Sequence, residues 1–396
     1  MTDAMINPLL ALHRQAEADL LDHGPVSIVN TFGHPEAQYA AIRRSCALID
    51  RPQRVLIRLS GQDRLPFLNG LVTNAVWDTK AGRGLAAGQG TYAFLLNAKG
   101  RILADLNILE RGDCTLLEVD VRVAADVVAH LEKYHFRERV AIENCAAGLH
   151  EVSLHGPGAF DMLNSLLDSP MDGLDQMGSA TALRAGQALV VWRDDPTASP
   201  GYHVIVPIGE AQTLWQDLSR LAAPPPAAGS SPPTTARPLN RTAPPRPSAW
   251  PAGWAAFNTA RIEAGRPLFG IDFDQTVLPA ETGLLDRAVS FTKGCYLGQE
   301  IVARMASRGQ VARRIAAFRM DGPELPVAGA PINDEAGQVV GIVTSSTASP
   351  LLSGAAIGLA MLRRTCSDIG SVVHVAAQGA FRPARVVEAC HTGKPM

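Results

Sequence analysis

Ten prolines fall within the 32 residues from Ala222 to Gly253, among Ala, Ser and Thr and without one acidic residue. No helix or central strand tolerates that density, because each proline removes a backbone donor and fixes its φ. The stretch also offers too little apolar surface to offset its ordering cost, so it is expected to be an extended tether dividing the chain. Arg237, Arg241 and Arg246 make it basic. Contact with RNA and a plain insertion are the two readings, and the insertion is the simpler.

At 396 residues the chain has room for two or three domains of roughly 150 residues each. Hydrophobic residues at 46% and charged residues at 19% fit a globular protein. The net charge of −2 supplies no overall drive towards nucleic acid or an anionic membrane. No apolar run is long enough to span a bilayer. The first residues carry Asp3, Glu17, Asp19 and Asp22 against Arg14, unlike a secretory or mitochondrial leader. Six scattered cysteines without a CxxC pair argue against a disulfide framework and against a self-contained metal motif. A cytoplasmic, reduced protein is expected.

Ahead of the tether, strands and helices are mixed. Val55 to Leu59 reads as a strand, Ser60-Gly61-Gln62-Asp63 as a turn able to cap a helix, and Leu65, Phe67, Leu68, Leu71 and Val72 as that helix's apolar face. Tyr92 to Asn97 and Ile102 to Leu109 read as strands joined through Ala98-Lys99-Gly100-Arg101. Thr115 to Asp120 is a strand, Val121 to Tyr134 an amphipathic helix, and Val140 to Glu143 and Glu151 to Leu154 strands again. Trp254 to Ala264 reads as a helix stopped by Gly265. From Arg313 onward, short alternating runs between Gly and Pro turns predict a small β-barrel or sandwich.

Three groups of residues could carry chemistry. In Lys293-Gly294-Cys295-Tyr296-Leu297-Gly298-Gln299-Glu300, a lysine and a following helix start would favour the thiolate of Cys295. An ordinary packed cysteine is the alternative. Arg261 and Glu263 share a helix, followed by Asp272, Asp274 and Glu281. A buried carboxylate can accept the paired N–H donors of a pterin or purine ring, or simply close a local ion pair. Tyr92 and Asp105 lie on consecutive strands and could meet across the ladder, where a buried Asp is costly unless paired or used. The histidines, His130, His135, His150, His155 and His203 among them, lack ligand spacing, so no metal site is expected. There is no GxGxxG, P-loop, GxSxG or HExxH.

Together these pieces resemble the YgfZ proteins, folate-binding relatives of the glycine cleavage T-protein, an aminomethyltransferase. The likeness rests on Lys293-Gly294-Cys295-Tyr296-x-Gly298-Gln299-Glu300 with Arg304 and Gly309, on Phe67 to Asn74, on Tyr92 to Asp105, and on Arg261 through Glu281. It implies an α+β, T-protein-like fold of three subdomains in a ring around a central folate channel, ending in a small β-barrel. The parts would be an N-terminal folate-binding subdomain over 8–150, a middle region over 151–221 and 254–312 with the tether at 222–253, and the barrel over 313–392.

By the same resemblance Glu263 would hold the pterin of tetrahydrofolate, or of a one-carbon derivative, with Tyr92, Asp105, Arg261 and Lys293 as further contacts. Cys295 would face the channel or its rim. The implied function is an accessory factor for making or repairing iron–sulfur enzymes, including those that methylthiolate tRNA. Its partners would be client enzymes or cluster carriers, with no membrane and no direct nucleic-acid contact. The T-proteins carry two consecutive acids where this chain has Ala104-Asp105, and Gly-Gly where it has Gly100-Arg101. They also lack the cysteine motif. The alternative is a folate-dependent aminomethyl or one-carbon transferase, in which Asp105 steers the folate nitrogen.

Overall fold

A computed structural model describes residues 7–220, 249–308 and 311–388, with the side chains of 306–308 left out. Most of the expected tether, together with Gly309 and Cys390, lies outside the described residues.

Two antiparallel-built sheets and a barrel carry the fold. The first sheet has five strands in the order Ala141–Asn144, Arg54–Ser60, Cys114–Asp120, Ile102–Glu110, Gly90–Leu96. The second has six: Ser179–Arg184, Gln187–Arg193, Gly201–Pro207, Leu149–His155, Cys46–Asp50, Ala249–Pro251. From Arg313–Met320 onward, six strands close into a barrel in which Arg313–Met320 pairs with both Ala355–Arg363 and Ala380–Val387.

Period-2 alternation decides which residue goes where. On the first sheet, Val55, Ile57, Leu59, Ala104, Leu106, Ile108, Leu117 and Val119 enter one apolar core beneath the helix Ala124–Lys133. Their neighbours Leu56, Leu109 and Leu116 take the opposite face and pack against Trp192 and Ile205 of the second sheet. The second sheet does the same in mirror fashion, sending Val152, Leu154, Val191, Val204 and Val206 into its own core. The two sheets are therefore face to face, each with a separate outer core. Along the shared face the residues turn from apolar to polar: Arg54, Asp105, Asn107, Glu118 and Asp120 on one side, Glu151 and His203 on the other, nearly all of them buried.

The expected elements appear with shifted ends. The strand over 102–109 runs Ile102–Glu110, the helix over 121–134 runs Ala124–Lys133, and the helix over 254–264 runs Trp254–Glu263 before Gly265 at φ +64°. The turn Ser60-Gly61-Gln62-Asp63 leads into the helix Arg64–Asn69 without a side-chain cap; Asp63 accepts a bond at 2.8 Å from the Arg139 backbone N–H instead. Two boundaries differ from expectation. Cys46–Asp50, placed in the N-terminal subdomain, pairs with Leu149–His155 in the second sheet, so the chain does not divide cleanly at residue 150. Ala249–Pro251, inside the expected tether, forms an edge strand parallel to Cys46–Leu48. An edge accepts Pro251 because no further ladder bond is asked of it.

Candidate functional site

Where the facing sheets turn polar, a cavity opens between them. The helix Trp254–Glu263 contributes Trp254 and Phe257 to its wall, and the loop Arg266–Ile271 and Arg287 complete it. The cavity they enclose has a volume of about 80 Å³.

The first wall holds the expected pair. Tyr92 stands opposite Asn107 in the ladder and Phe94 opposite Asp105, so Tyr92 and Asp105 meet on the diagonal. The Tyr92 hydroxyl donates to Asp105 Oδ2 at 3.2 Å. Burial raises the Tyr92 phenol well above its ordinary range, with the Asp105 charge adding to that, so it remains a donor. Arg54 Nη1 lies 3.4 Å from Asp105 Oδ1, and the Arg54 Nε and Nη2 grip the Glu118 carboxylate at 2.5 Å each. Burial nevertheless raises the Asp105 carboxyl, because the opposing pull of Arg54 is shared and Glu118 and Asp120 add negative charge nearby. A carboxyl raised by burial beside a donor and a guanidinium can exchange a proton with a bound ligand.

Cations line the far side. Arg287 lies over the Tyr92 ring at 4.8 Å, and Arg287 and Arg266 share Asp194 at 3.0 and 3.2 Å. Two residues absent from the expected site, Asn107 and His203, also line the cavity. Asn107 Nδ2 donates to Glu118 at 2.7 Å, and His203 Nδ1 lies 3.0 Å from Glu151 Oε1. Asn107 Oδ1 and His203 Nε2 are buried without a hydrogen-bond partner. Buried polar atoms are rarely left so, and both atoms belong to side chains on the cavity wall.

The other expected residues go elsewhere. Glu263, fully buried, accepts from Tyr39 at 2.6 Å, Arg43 at 2.7 Å and Ser349 at 2.5 Å. Arg261 pairs with Asp272 and donates to Ser345 at 2.6 Å. Both residues join the helix to the barrel strand Val339–Ser349, and neither is on the cavity wall.

Lys293 is also turned away from the cavity. Its Nζ donates to the carbonyls of Asn69, Val72 and Asn74 at 2.7, 2.6 and 2.9 Å. Burial lowers this ammonium to about 7, yet three carbonyl acceptors are satisfied only by its protonated form. Lys293 thereby bolts the cysteine loop to the N-terminal subdomain. Gly298, at φ +80°, adds a second bolt: a Cβ there would lie 2.8 Å from the Asn97 carbonyl and 3.2 Å from Gly100 Cα. Cys295 sits between these fastenings on the exposed surface, outside the cavity wall.

Among the described residues no group of three His, Cys, Asp or Glu could hold a metal ion, and no helix is long and apolar enough to cross a membrane.

Family models match two stretches: the GCVT N-terminal domain over residues 9–225, and the glycine cleavage T-protein C-terminal barrel domain over 313–391. Aminomethyltransferases are similar over nearly the whole length. That of Chlorobaculum parvum is 28% identical, covering 96% of this chain and 96% of the relative. That of Caldanaerobacter subterraneus subsp. tengcongensis is 26% identical, covering 93% and 90%. In fold, the chain is similar to the glycine cleavage system aminomethyltransferase T of Bartonella henselae, with a TM-score of 0.81, 22% identity and coverage of 97% and 96%.

Proposed function

The chain belongs to the glycine cleavage T-protein family, and from that premise we propose that it binds tetrahydrofolate in the central cavity and handles a one-carbon unit there. The observation that carries this is the buried group of Tyr92, Asp105 and Arg54, with Asn107 Oδ1 on the same wall and His203 Nε2 on the facing one both left without partners. Such unanswered acceptors fit a heterocycle bearing N–H donors, and the walls alternate apolar with polar groups as ligand cavities do. The folate supplies an amine nitrogen that takes up a one-carbon unit. Asp105 accepts a hydrogen bond from that nitrogen; as the nitrogen bonds to the donor's carbon, that carbon's bond to the donor breaks, and the nitrogen's proton passes by way of Asp105 to the departing group. Tyr92 and Arg54 keep the carboxyl in position, and Arg266 and Arg287 offer charge to an anionic part of the ligand.

The relatives' names favour an aminomethyl or one-carbon transferase. The test is calorimetric titration of tetrahydrofolate, followed by an assay of one-carbon folate formed from a small or carrier-bound aminomethyl donor. Asp105→Asn should keep most of the binding and lose transfer by about 10²-fold or more. If wild type forms no one-carbon folate, the transferase reading falls; if it does not bind folate, the cavity reading falls with it.

A second reading rests on Cys295, exposed on a loop fastened at both sides. A thiol so presented suits a macromolecular partner better than the cavity's ligand. Under this reading the protein is a folate-binding accessory factor for iron–sulfur enzymes in the cytoplasm, and Cys295 meets the client enzyme or cluster carrier. Complementation of a cell lacking its own copy, read as the activity of an iron–sulfur tRNA-modifying enzyme, separates the two. Loss with Cys295→Ala at equal expression supports the second reading. Full activity with that variant removes it.

A further inference from the structure

We propose that the cavity reads its ligand's N–H donors through a matched pair of acceptors, Asn107 Oδ1 and His203 Nε2. This rests on the folate reading above and adds to it a specificity pair.

The pairing is built symmetrically around Arg51. Its Nη2 lies 3.5 Å from Glu118 Oε1 and its Nε 3.2 Å from Glu151 Oε1, so one guanidinium stands between two fully buried carboxylates, of which Glu118 is also held by Arg54. Each carboxylate holds one reader by its donor end: Glu118 takes Asn107 Nδ2 at 2.7 Å, and Glu151 takes His203 Nδ1 at 3.0 Å. The orientation of both side chains follows, since an acceptor in front of a carboxylate would be repelled. Asn107 must keep its oxygen on the remaining side, and neutral His203 must be the Nδ1–H tautomer with a lone pair at Nε2. Trp192 fixes the imidazole plane, stacked at 4.1 Å with 23° between rings, and its indole Nε1 also donates to Glu151, at 3.3 Å. Asn107 is 8% and His203 1% exposed, so water does not readily stand in for a missing partner.

Two fixed acceptors select a ligand edge with N–H donors, such as the amino group and ring N–H of an aminopyrimidinone. His155 meets the His203 ring edge-on at 5.6 Å and helps to hold the imidazole plane.

The test titrates 5-formyltetrahydrofolate, and its analogue with a methyl in place of the 2-amino group, into the full-length protein. The variants are His203→Gln, whose amide keeps a donor for Glu151 and an acceptor for the cavity, and His203→Phe, which removes the acceptor. Wild type should bind the analogue about tenfold weaker than the parent folate; His203→Gln should keep that preference to within about threefold, and His203→Phe should lose it. Equal binding of the analogue by wild type, or an undiminished preference in His203→Phe, overturns the proposal and leaves folate binding standing. Absence of any saturable binding overturns both. If the variants do not fold, the analogue comparison on wild type decides alone.

Discussion

Two buried polar clusters lie on either side of the helix Trp254–Glu263, and they differ in how completely they are answered. Towards the barrel, Glu263 and Asp272 are surrounded by donors: Tyr39, Arg43 and Ser349 for the first, Arg261, Thr344, Ser345 and the Leu268 N–H for the second. Towards the cavity, Asn107 and His203 are tied back by one end only. A polar cluster closed on itself is architecture. One with atoms left over, in a place with room, is prepared for something that is not protein.

The largest effect should come from opening the closed cluster. Glu263→Ala would strand the buried Arg43 and is expected to cost about 3–5 kcal/mol in denaturant unfolding, the usual penalty for one half of a buried ion pair. Glu263→Gln, milder in stability, should leave folate affinity within about twofold. A Gln variant that folds normally and no longer binds folate would erase the distinction and put Glu263 at the pterin after all.

Next comes Gly298. Its φ of +80° and the Asn97 carbonyl 2.8 Å from a notional Cβ predict about 2 kcal/mol lost in Gly298→Ala. Gly294→Ala, whose nearest contact would be Thr79 Oγ1 at 3.7 Å, should change stability by less than about 0.5 kcal/mol. Equal losses at the two glycines would mean the loop is not fastened where Gly298 meets the hairpin.

Acid should act on the second sheet. Burial pulls the His155 imidazole well below its ordinary value, with His203 and Arg51 adding to the shift. A depressed histidine leaves the unfolded chain binding more protons, so stability falls as pH drops through about 6.5. Burial alone would raise the Asp50 carboxyl, but His150 and His13, each 2.7 Å away, bring it well below the usual range. Its contribution is present above about pH 4 and is lost as pH falls further. His155→Gln should flatten the first of these slopes and leave the second, measured as unfolding free energy against pH. The smallest effect is that of Cys295→Ser, within about 0.5 kcal/mol for an exposed thiol.

How much of this was legible in the chain depends on how local the signal was. The hairpin over 90–110 announces itself by alternation and a glycine turn, and with it the Tyr92–Asp105 meeting, because a diagonal contact is set by register alone. The Gly265 stop and the six short strands of the barrel are equally local. Asn107 and His203 were not legible as readers. What marks them is an unanswered atom, and that depends on Glu118, Glu151 and Arg51, brought together by packing two sheets far apart in sequence. Glu263 misleads for the same reason: Tyr39 and Arg43, more than 200 positions earlier, claim its oxygens. The polar–apolar alternation of Ala104-Asp105-Leu106-Asn107-Ile108, with Asp105 and Asn107 both on the face away from the first core, was the one signal that could have pointed to Asn107.

The parallel strand Ala249–Pro251 carries one more implication. It lies against Cys46–Leu48 and packs on the helix Ala211–Arg220, so the chain leaves the second subdomain and returns to it at neighbouring places. Both ends are pinned by the same core, through Leu218 on one side and Ala249 on the other. The covalent link between them therefore contributes little beyond keeping the halves at high local concentration. Two polypeptides, 1–221 and 249–396, produced together should find one another and rebuild the cavity, whose walls draw on both pieces.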